Sequence, residues 1–336
     1  MKIVFVGLEN GAKEKMQEAF SSDELIFVDE LKLESDFESI KDCDVLSVFV
    51  NHEVRSDLID KFSNLKLIAT RSTGFDHVDV AYAKGKNIQV ANVPTYGSNT
   101  VAEFTFALML ATIRRVPDAN NRLRKDDKTD VKDFEGVNLY SKTIGVIGSG
   151  NIGKNVIKIA KGFSMKVLAY DTFPKDDLAK ELGFEYVSLY DLLKNSDIVT
   201  IHVPYIKETH HLINEEKINL MKPTAYLINT ARGEIVDTKA LVNALLDKKI
   251  KGAGLDVLEG ERLLREELDL LLDNINDIDQ FKTLFANHRL IDMENVVVTP
   301  HIAFNTIEAK NEIIDITISN IKKFIETAES DNQVKI

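Results

Sequence analysis

Cysteine is almost absent: Cys43 is the only one in 336 residues, so no internal disulfide can form and a reducing cytoplasm is the expected compartment. Proline is scarce, with six in all, and no low-complexity tract interrupts the chain, which argues against disorder. Basic charge falls short of acidic charge, 42 Lys and Arg against 54 Asp and Glu, leaving a formal charge of −12. A surface of that sign repels phosphate backbones and acidic membrane surfaces, so neither nucleic acid nor a membrane is an expected partner. Long hydrophobic runs are missing too. The opening MKIVFVGLEN is too short for a signal-peptide core, and no later apolar run approaches the roughly 18 residues of a membrane span, so neither export nor insertion is expected. What is present is hydrophobic content of 44% alongside 29% charged residues, a soluble globular composition, and a length that suggests two domains at roughly 100–200 residues each.

From Lys2 to Val93, short apolar runs at 2–7, 25–29, 45–50, 65–70 and 88–93 alternate with amphipathic stretches. Near-continuous apolar strands separated by helical segments predict a parallel sheet covered on both faces. Thr100, with Glu103 three residues on, fits a capping box opening a long, mostly buried helix that joins two domains. After a polar stretch from about 118 to 133, strands are expected again at 143–148, 166–171, near Tyr186, and at 198–203, 225–230, 251–256 and 296–300. The fold class is therefore α/β with two doubly wound parallel-sheet domains. The acidic, leucine-rich segment 259–294 reads as inserted helices. Ile307, Ile314, Ile318, Ile321 and Ile325 recur at helical spacing, predicting a final helix packed on a core.

Gly148, Gly150 and Gly153 spell G-x-G-x-x-G directly after the apolar strand at 143–148 and directly before a helical segment. Such glycines let the chain turn tightly and approach a pyrophosphate, whose charge is met by amides at the helix N-terminus. The next strand ends at Asp171, an acidic residue placed to accept hydrogen bonds from the adenosine ribose and to repel the extra phosphate of NADP. NAD is the expected cofactor, with nearby Lys175 leaving some room for NADP.

Three further strand ends carry unusual polar residues: Arg232 in NTARGEIVD, Glu261 in GAGLDVLEGE and His301 in VVVTPHIAF. Loops after the carboxyl ends of strands are where open α/β sheets bind ligands, so the three could converge near the nicotinamide. Reduction of a 2-oxo acid needs such a set. A fixed guanidinium holds the carboxylate in two hydrogen bonds, a protonated imidazole stands beside the carbonyl oxygen, and a carboxylate behind the imidazole favours its charged form.

With these residues in place, the sequence resembles the D-isomer-specific 2-hydroxyacid dehydrogenase family, and within it is most similar to the D-lactate dehydrogenases. Seven motifs in the same order carry the resemblance: TRSTGFDHVD at 70–79, NVPTYGSNTVAEFTFALML at 92–110, GVIGSGNIG at 145–153, HVPYIKETHHLIN at 202–214, INTARGEIVD at 228–237, GLDVLEGE at 254–261 and TPHIAF at 299–304. The resemblance implies that Arg232 binds the substrate carboxylate, His301 is the general acid or base and Glu261 its partner. It implies that the backbone around Thr73 and Gly74 meets the substrate carboxylate. Asn151, Ile152, Asp171, Val203, Pro204, Thr209, Thr230, Ala231 and Asp256 should line the NAD site beside the three glycines. It also implies a discontinuous architecture, with 1–99 and 300–336 a flavodoxin-like substrate domain, 100–299 an inserted Rossmann NAD-binding domain, closure over substrate, and a homodimer. The expected substrate is a small 2-oxo acid or D-2-hydroxy acid, with pyruvate and D-lactate leading. Hydroxypyruvate, glyoxylate, a branched 2-oxo acid and phosphoglycerate are the alternatives, and a non-catalytic NAD-sensing scaffold is the reading from another class.

The sequence departs from the family pattern at Arg262, where a proline usually follows the glutamate, in the long stretch between Glu261 and His301, and at Asn51, where lactate-type members often carry a tyrosine. Tyr96 and Phe304 match residues that narrow the pocket in those members. His52, His77, His202, His210, His211 and His288 have no carboxylate or cysteine at metal-ligand spacing, so no metal is expected. Asp76 and Asp79 read as helix caps and Cys43 as a small core residue.

Overall fold

The computed structural model describes residues 1–8, 10–30, 37–125, 130–261, 264 and 278–334. The chain divides into two compact units, Met1–Gly97 with Thr306–Ile336, and Ser98–Asn305. Residues 98–99 and 300–305, assigned to the first unit from the sequence, thus belong to the second.

In the first unit, β1 (Lys2–Val6), β2 (Glu24–Val28), β3 (Val45–Val48), β4 (Leu67–Thr70) and β5 (Gln89–Ala91) form one parallel sheet in the order β2-β1-β3-β4-β5. This is the flavodoxin-like winding. Successive side chains point to opposite faces. Val4, Val6, Leu46, Val48, Ile68 and Val90 pack with Ile40, Leu58, Ile59 and Ala83 on one side. Ile3, Phe5, Val45, Leu67 and Ala91 pack on the other with Met16, Phe20 and the residues Ile314, Ile321 and Phe324 of the last helix, Ile307–Thr327. The end of the chain returns to this unit because its apolar stripe completes that second core. Ile318 and Ile325 are partly buried against the same cluster. Ile307 is 76% exposed, however, because it stands directly after the cap Thr306, and the buried stripe begins at Ala309. Asp79 caps the helix Val80–Gly85 by accepting from the Tyr82 amide. Asp76 uses its backbone carbonyl instead, accepting from Arg55.

In the second unit, β6 (Thr143–Ile147), β7 (Lys166–Tyr170), β8 (Glu185–Tyr186), β9 (Ile198–Ile201), β10 (Tyr226–Asn229), β11 (Gly252–Leu255) and β12 (Val296–Val298) form a parallel sheet in the order β12-β11-β10-β9-β6-β7-β8. The chain runs outward from β6 through β8, then crosses to β9 and runs outward the other way. The switch point therefore lies between β6 and β9, where such sheets bind ligands. One face packs Ile144, Val146 and Ile228 under Phe106, Met109 and Ile113 of the helix Ser98–Ile113 and under Val156, Ile157 and Ala160 of the helix Asn151–Gly162. The other packs Ile147, Val199, Ile201, Leu227 and Leu255 under Leu192, Ile213, Leu241 and Leu245. Full burial of each such side chain contributes about 1.5–3 kcal/mol.

The helix Ser98–Ile113 begins two residues ahead of Thr100, which is therefore not its cap; Glu103 instead accepts from the Asn99 side chain. The polar stretch after this helix contains a second one, Val116–Arg124. Residues 262–263 and 265–277 of the acidic segment lie outside the described residues, and the remainder contains the helix Ile278–Asp292, whose Leu290 joins the second unit's core. No helix among the described residues is long and apolar enough to cross a membrane.

Cys43 is fully buried in the first unit, and burial pushes its thiol up to about 12. At pH 8 only about 1 in 10,000 such thiols is ionised, and the thiolate is the reactive form. A disulfide reagent at pH 8 is expected to leave the native protein unlabelled and to titrate one thiol after denaturation; rapid native labelling would contradict the packing.

Candidate active site

The loop after β6 turns at Gly148, whose φ of +94° suits glycine and whose Cβ would lie 2.6 Å from the His202 carbonyl oxygen. Gly150 caps the helix Asn151–Gly162, and a Cβ there would meet nothing within 4 Å, so open space adjoins the helix N-terminus that carries Asn151 and Ile152. At Gly153 a Cβ would fall 1.9 Å from the Gly148 carbonyl oxygen, so the helix rests directly on the turn. Unpaired amides of a helix first turn beside an unobstructed glycine suit a pyrophosphate.

At the end of β7, Asp171 accepts from the Ser149 amide and hydroxyl, both at 2.7 Å, and from the Phe173 amide at 2.9 Å. Burial works to raise its pKa, but these hydrogen bonds and the charge of Lys175 outweigh it and hold the carboxyl below its ordinary value. Across the switch point, burial lowers the pKa of His202 to about 3, so this imidazole is neutral. Val203 and Pro204 follow it, and the Thr209 hydroxyl donates to the Pro204 carbonyl at 2.7 Å, closing that loop.

The loop after β10 is shaped by Asn229, a residue the motif search passed over. Its side chain accepts from the Ala231 amide and donates to the Arg232 carbonyl, at 3.0 and 2.8 Å, while Thr230 meets Thr105 at 3.0 Å. Arg232 is half-buried, and one guanidinium nitrogen donates to the Ala231 carbonyl at 2.8 Å. Gly233 then passes so close to the loop after β11 that a Cβ would stand 2.0 Å from the Leu258 carbonyl carbon. The Arg232 and Glu261 loops are thereby pressed together.

Glu261 follows Gly260, a left-handed turn with φ +63°, and its Oε1 lies 2.7 Å from His301 Nδ1. An ionised carboxylate only accepts, so Nδ1 carries the hydrogen and Nε2 is the nitrogen left to exchange a proton. His301 has a φ of +55°, uncommon for a residue with a side chain. Asp256 holds it there. Fully buried, it accepts from the Thr299 hydroxyl at 2.6 Å and from the Ile302 and Ala303 amides at 3.0 and 2.8 Å, and its carbonyl accepts the His301 amide at 2.8 Å. The Phe304 ring stands edge-on to His301 with centroids 6.3 Å apart.

His211 has a carboxylate partner after all, Glu259 at 2.7 Å, which lies 48 residues away and so escapes a search by local spacing. Among the described residues, no cluster of three or more His, Cys, Asp or Glu could hold a metal. The remaining expected site residues belong to the first unit. Thr73 is exposed after β4, its hydroxyl donating to the Val93 carbonyl at 2.9 Å; Gly74 accepts from the Ser72 hydroxyl at 2.6 Å; Tyr96 is half-buried after β5.

Residues 106–303 match the NAD-binding domain of the D-isomer specific 2-hydroxyacid dehydrogenases. The chain is 38% identical over 301 residues to a glyoxylate reductase of Pyrococcus furiosus, covering 88% of this chain and 83% of that one. Among solved structures, a D-lactate dehydrogenase from Aquifex aeolicus in complex with NAD and lactic acid superposes with a TM-score of 0.88 at 37% identity, over 99% of this chain and 100% of that one. The apo D-lactate dehydrogenase of Escherichia coli gives 0.82 at 32% identity over the whole of both chains. The open glycine turn and the ionised Asp171 fit NAD. Likeness that extends this far in sequence and in structure makes the chain a member of the D-isomer-specific 2-hydroxyacid dehydrogenase family, an NAD-dependent oxidoreductase acting on 2-hydroxy acids.

Proposed function

We propose that the protein interconverts pyruvate and D-lactate, with His301 as proton donor and acceptor, Glu261 as its partner and Arg232 as the substrate-carboxylate clamp. The observation that carries the catalytic assignment is the 2.7 Å contact between His301 Nδ1 and Glu261, on loops adjoining the one that bears Arg232. NADH, when bound, supplies hydride to the carbonyl carbon. His301 delivers the proton from Nε2 to the carbonyl oxygen, while Glu261 accepts from Nδ1 and stabilises the imidazolium before transfer. Arg232 presents paired donors to the carboxylate, fixing which face of the carbonyl is open. The second unit is the cofactor domain, with the glycine turn, Val203, Pro204, Thr209, Thr230 and Ala231 around the NAD site; Asp256, expected there from the family resemblance, is fully buried and acts instead by holding the backbone at His301. From the family resemblance, Thr73, Gly74 and Tyr96 are assigned to the substrate.

Pyruvate is favoured by Tyr96 and Phe304, which suit a small side chain, and by the likeness to the Aquifex aeolicus enzyme. Glyoxylate is the second reading, supported by the Pyrococcus furiosus relative. A homodimer through the second unit is supported by the exposed apolar residues Val116, Leu123, Val131 and Tyr140.

His301→Gln is expected to retain NADH binding while turnover falls about a hundred to ten thousand fold, read by NADH fluorescence and absorbance; near-normal turnover would sink the assignment. Arg232→Lys should raise KM for the oxo acid by roughly tenfold or more, since an ammonium cannot reproduce the two-pronged contact, and an unchanged KM would remove the clamp role. NADH oxidation compared across pyruvate, glyoxylate, hydroxypyruvate and 2-oxoisocaproate, with chiral analysis of product, tests the substrate. Highest kcat/KM for pyruvate giving D-lactate supports the first reading, and a glyoxylate preference supports the second.

A further inference from the structure

The carboxylate of Asp171 does not stand alone at the end of β7. Its Oδ2 receives both the amide and the hydroxyl of Ser149, a residue 3% exposed between Gly148 and Gly150. The Ser149 oxygen also lies 2.7 Å from the Tyr186 hydroxyl. Tyr186 reaches this point because β8 pairs with β7, placing it opposite Ala169, and because its ring packs edge-on against Phe184 at 4.9 Å.

The direction of these hydrogen bonds follows from proton counting. A serine hydroxyl has one hydrogen, and an ionised carboxylate can only accept it. Ser149 therefore donates to Asp171, and Tyr186 must donate to Ser149, so two hydroxyls are aligned in series toward one charge. Hydrogen bonds in such a chain polarise one another. With Oδ2 engaged twice and Oδ1 engaged by the Phe173 amide, three of roughly four acceptor positions are filled. The capacity left for a ribose hydroxyl is on Oδ1, in one fixed direction.

We propose that Ser149 and Tyr186 are positioning residues for cofactor choice: their relay clamps Asp171 in one rotamer, where it accepts a ribose hydroxyl and meets the 2′-phosphate of NADP with a charge that cannot swing aside. The proposal rests on the assignment of Asp171 to the adenosine ribose. The clamp matters because Lys175 is exposed four residues along the chain, ready to pair with a phosphate once the carboxylate is free to turn away. NAD preference then depends on Asp171 being immobile as well as acidic.

The test is binding rather than turnover: dissociation constants of NADH and NADPH from nicotinamide fluorescence, for the unmodified protein, Ser149→Ala, Tyr186→Phe and Asp171→Asn. Loss of one hydrogen bond to a charged group corresponds to about a ten- to hundredfold change. Ser149→Ala is expected to narrow the ratio of NADPH to NADH dissociation constants by about that factor, mostly through weaker NADH binding, and Tyr186→Phe to narrow it less, in the same direction. A purely structural role would weaken both cofactors equally, and an unchanged ratio in Ser149→Ala and Tyr186→Phe would overturn the proposal. If Ser149→Ala does not fold, Tyr186→Phe decides alone, since it removes a single oxygen. Asp171→Asn separates the two levels: a narrowed ratio there with none in the relay variants refutes only the clamp, whereas no change refutes the ribose assignment and the clamp with it.

Discussion

A carboxylate with no solvent contact is costly unless its lone pairs are filled, and the carboxyl ends of β11 and β12 are organised around meeting that demand at Asp256. Burial raises its pKa, and the Thr299 hydroxyl and the Ile302 and Ala303 amides act in the other direction. Those three donors bracket His301. Filling the lone pairs of one buried acid thus bends the chain into the left-handed turn that aims the imidazole at Glu261. A left-handed conformation in a non-glycine residue costs about 1–3 kcal/mol, and the Asp256 hydrogen bonds offset it.

The other side of the imidazole–carboxylate pair is set by close approach of backbones. Gly233 admits the loop after β11 to within a distance no side chain would allow, and the His211–Glu259 contact ties that loop to the one after β9. Three neighbouring strand ends therefore share one framework. Parallel strands stand about 4.8 Å apart, so loops from β9, β10 and β11 are adjacent without any long-range device beyond the sheet itself. Despite a formal charge of −12, the second unit presents local cationic and N–H donors at the first turn of the helix Asn151–Gly162 and at the guanidinium of Arg232.

Much of this was legible in the sequence, for reasons that differ by element. Most strands announce themselves as short, largely apolar runs because both faces of each sheet are covered, with polar residues such as Lys2, Glu24, Gln89 and Lys166 falling at strand ends. The glycine turn is readable because each glycine answers a steric demand that no other residue meets. Legibility failed where a boundary or a partner depended on packing. Thr100 has the spacing of a cap, yet the helix starts at Ser98. Ile307 fits the periodicity of the last helix, yet the core begins a few residues later, at Ala309. His211 looked unaccompanied because its carboxylate is 48 residues distant, and Tyr186 looked like an ordinary strand residue because Ser149 is 37 residues distant.

Sequence alone determined the fold class, the strand order of events along the chain, the family and the cofactor, because periodicity, glycine placement and motif order are local properties written in consecutive residues. Only the tertiary structure decided which hydroxyls serve Asp171, which donors saturate Asp256, how the ring of His301 is turned and which loops Gly233 brings together. Those are outcomes of strand pairing and side-chain direction, and a hydrogen bond made across a sheet leaves no trace in the spacing of the residues that form it.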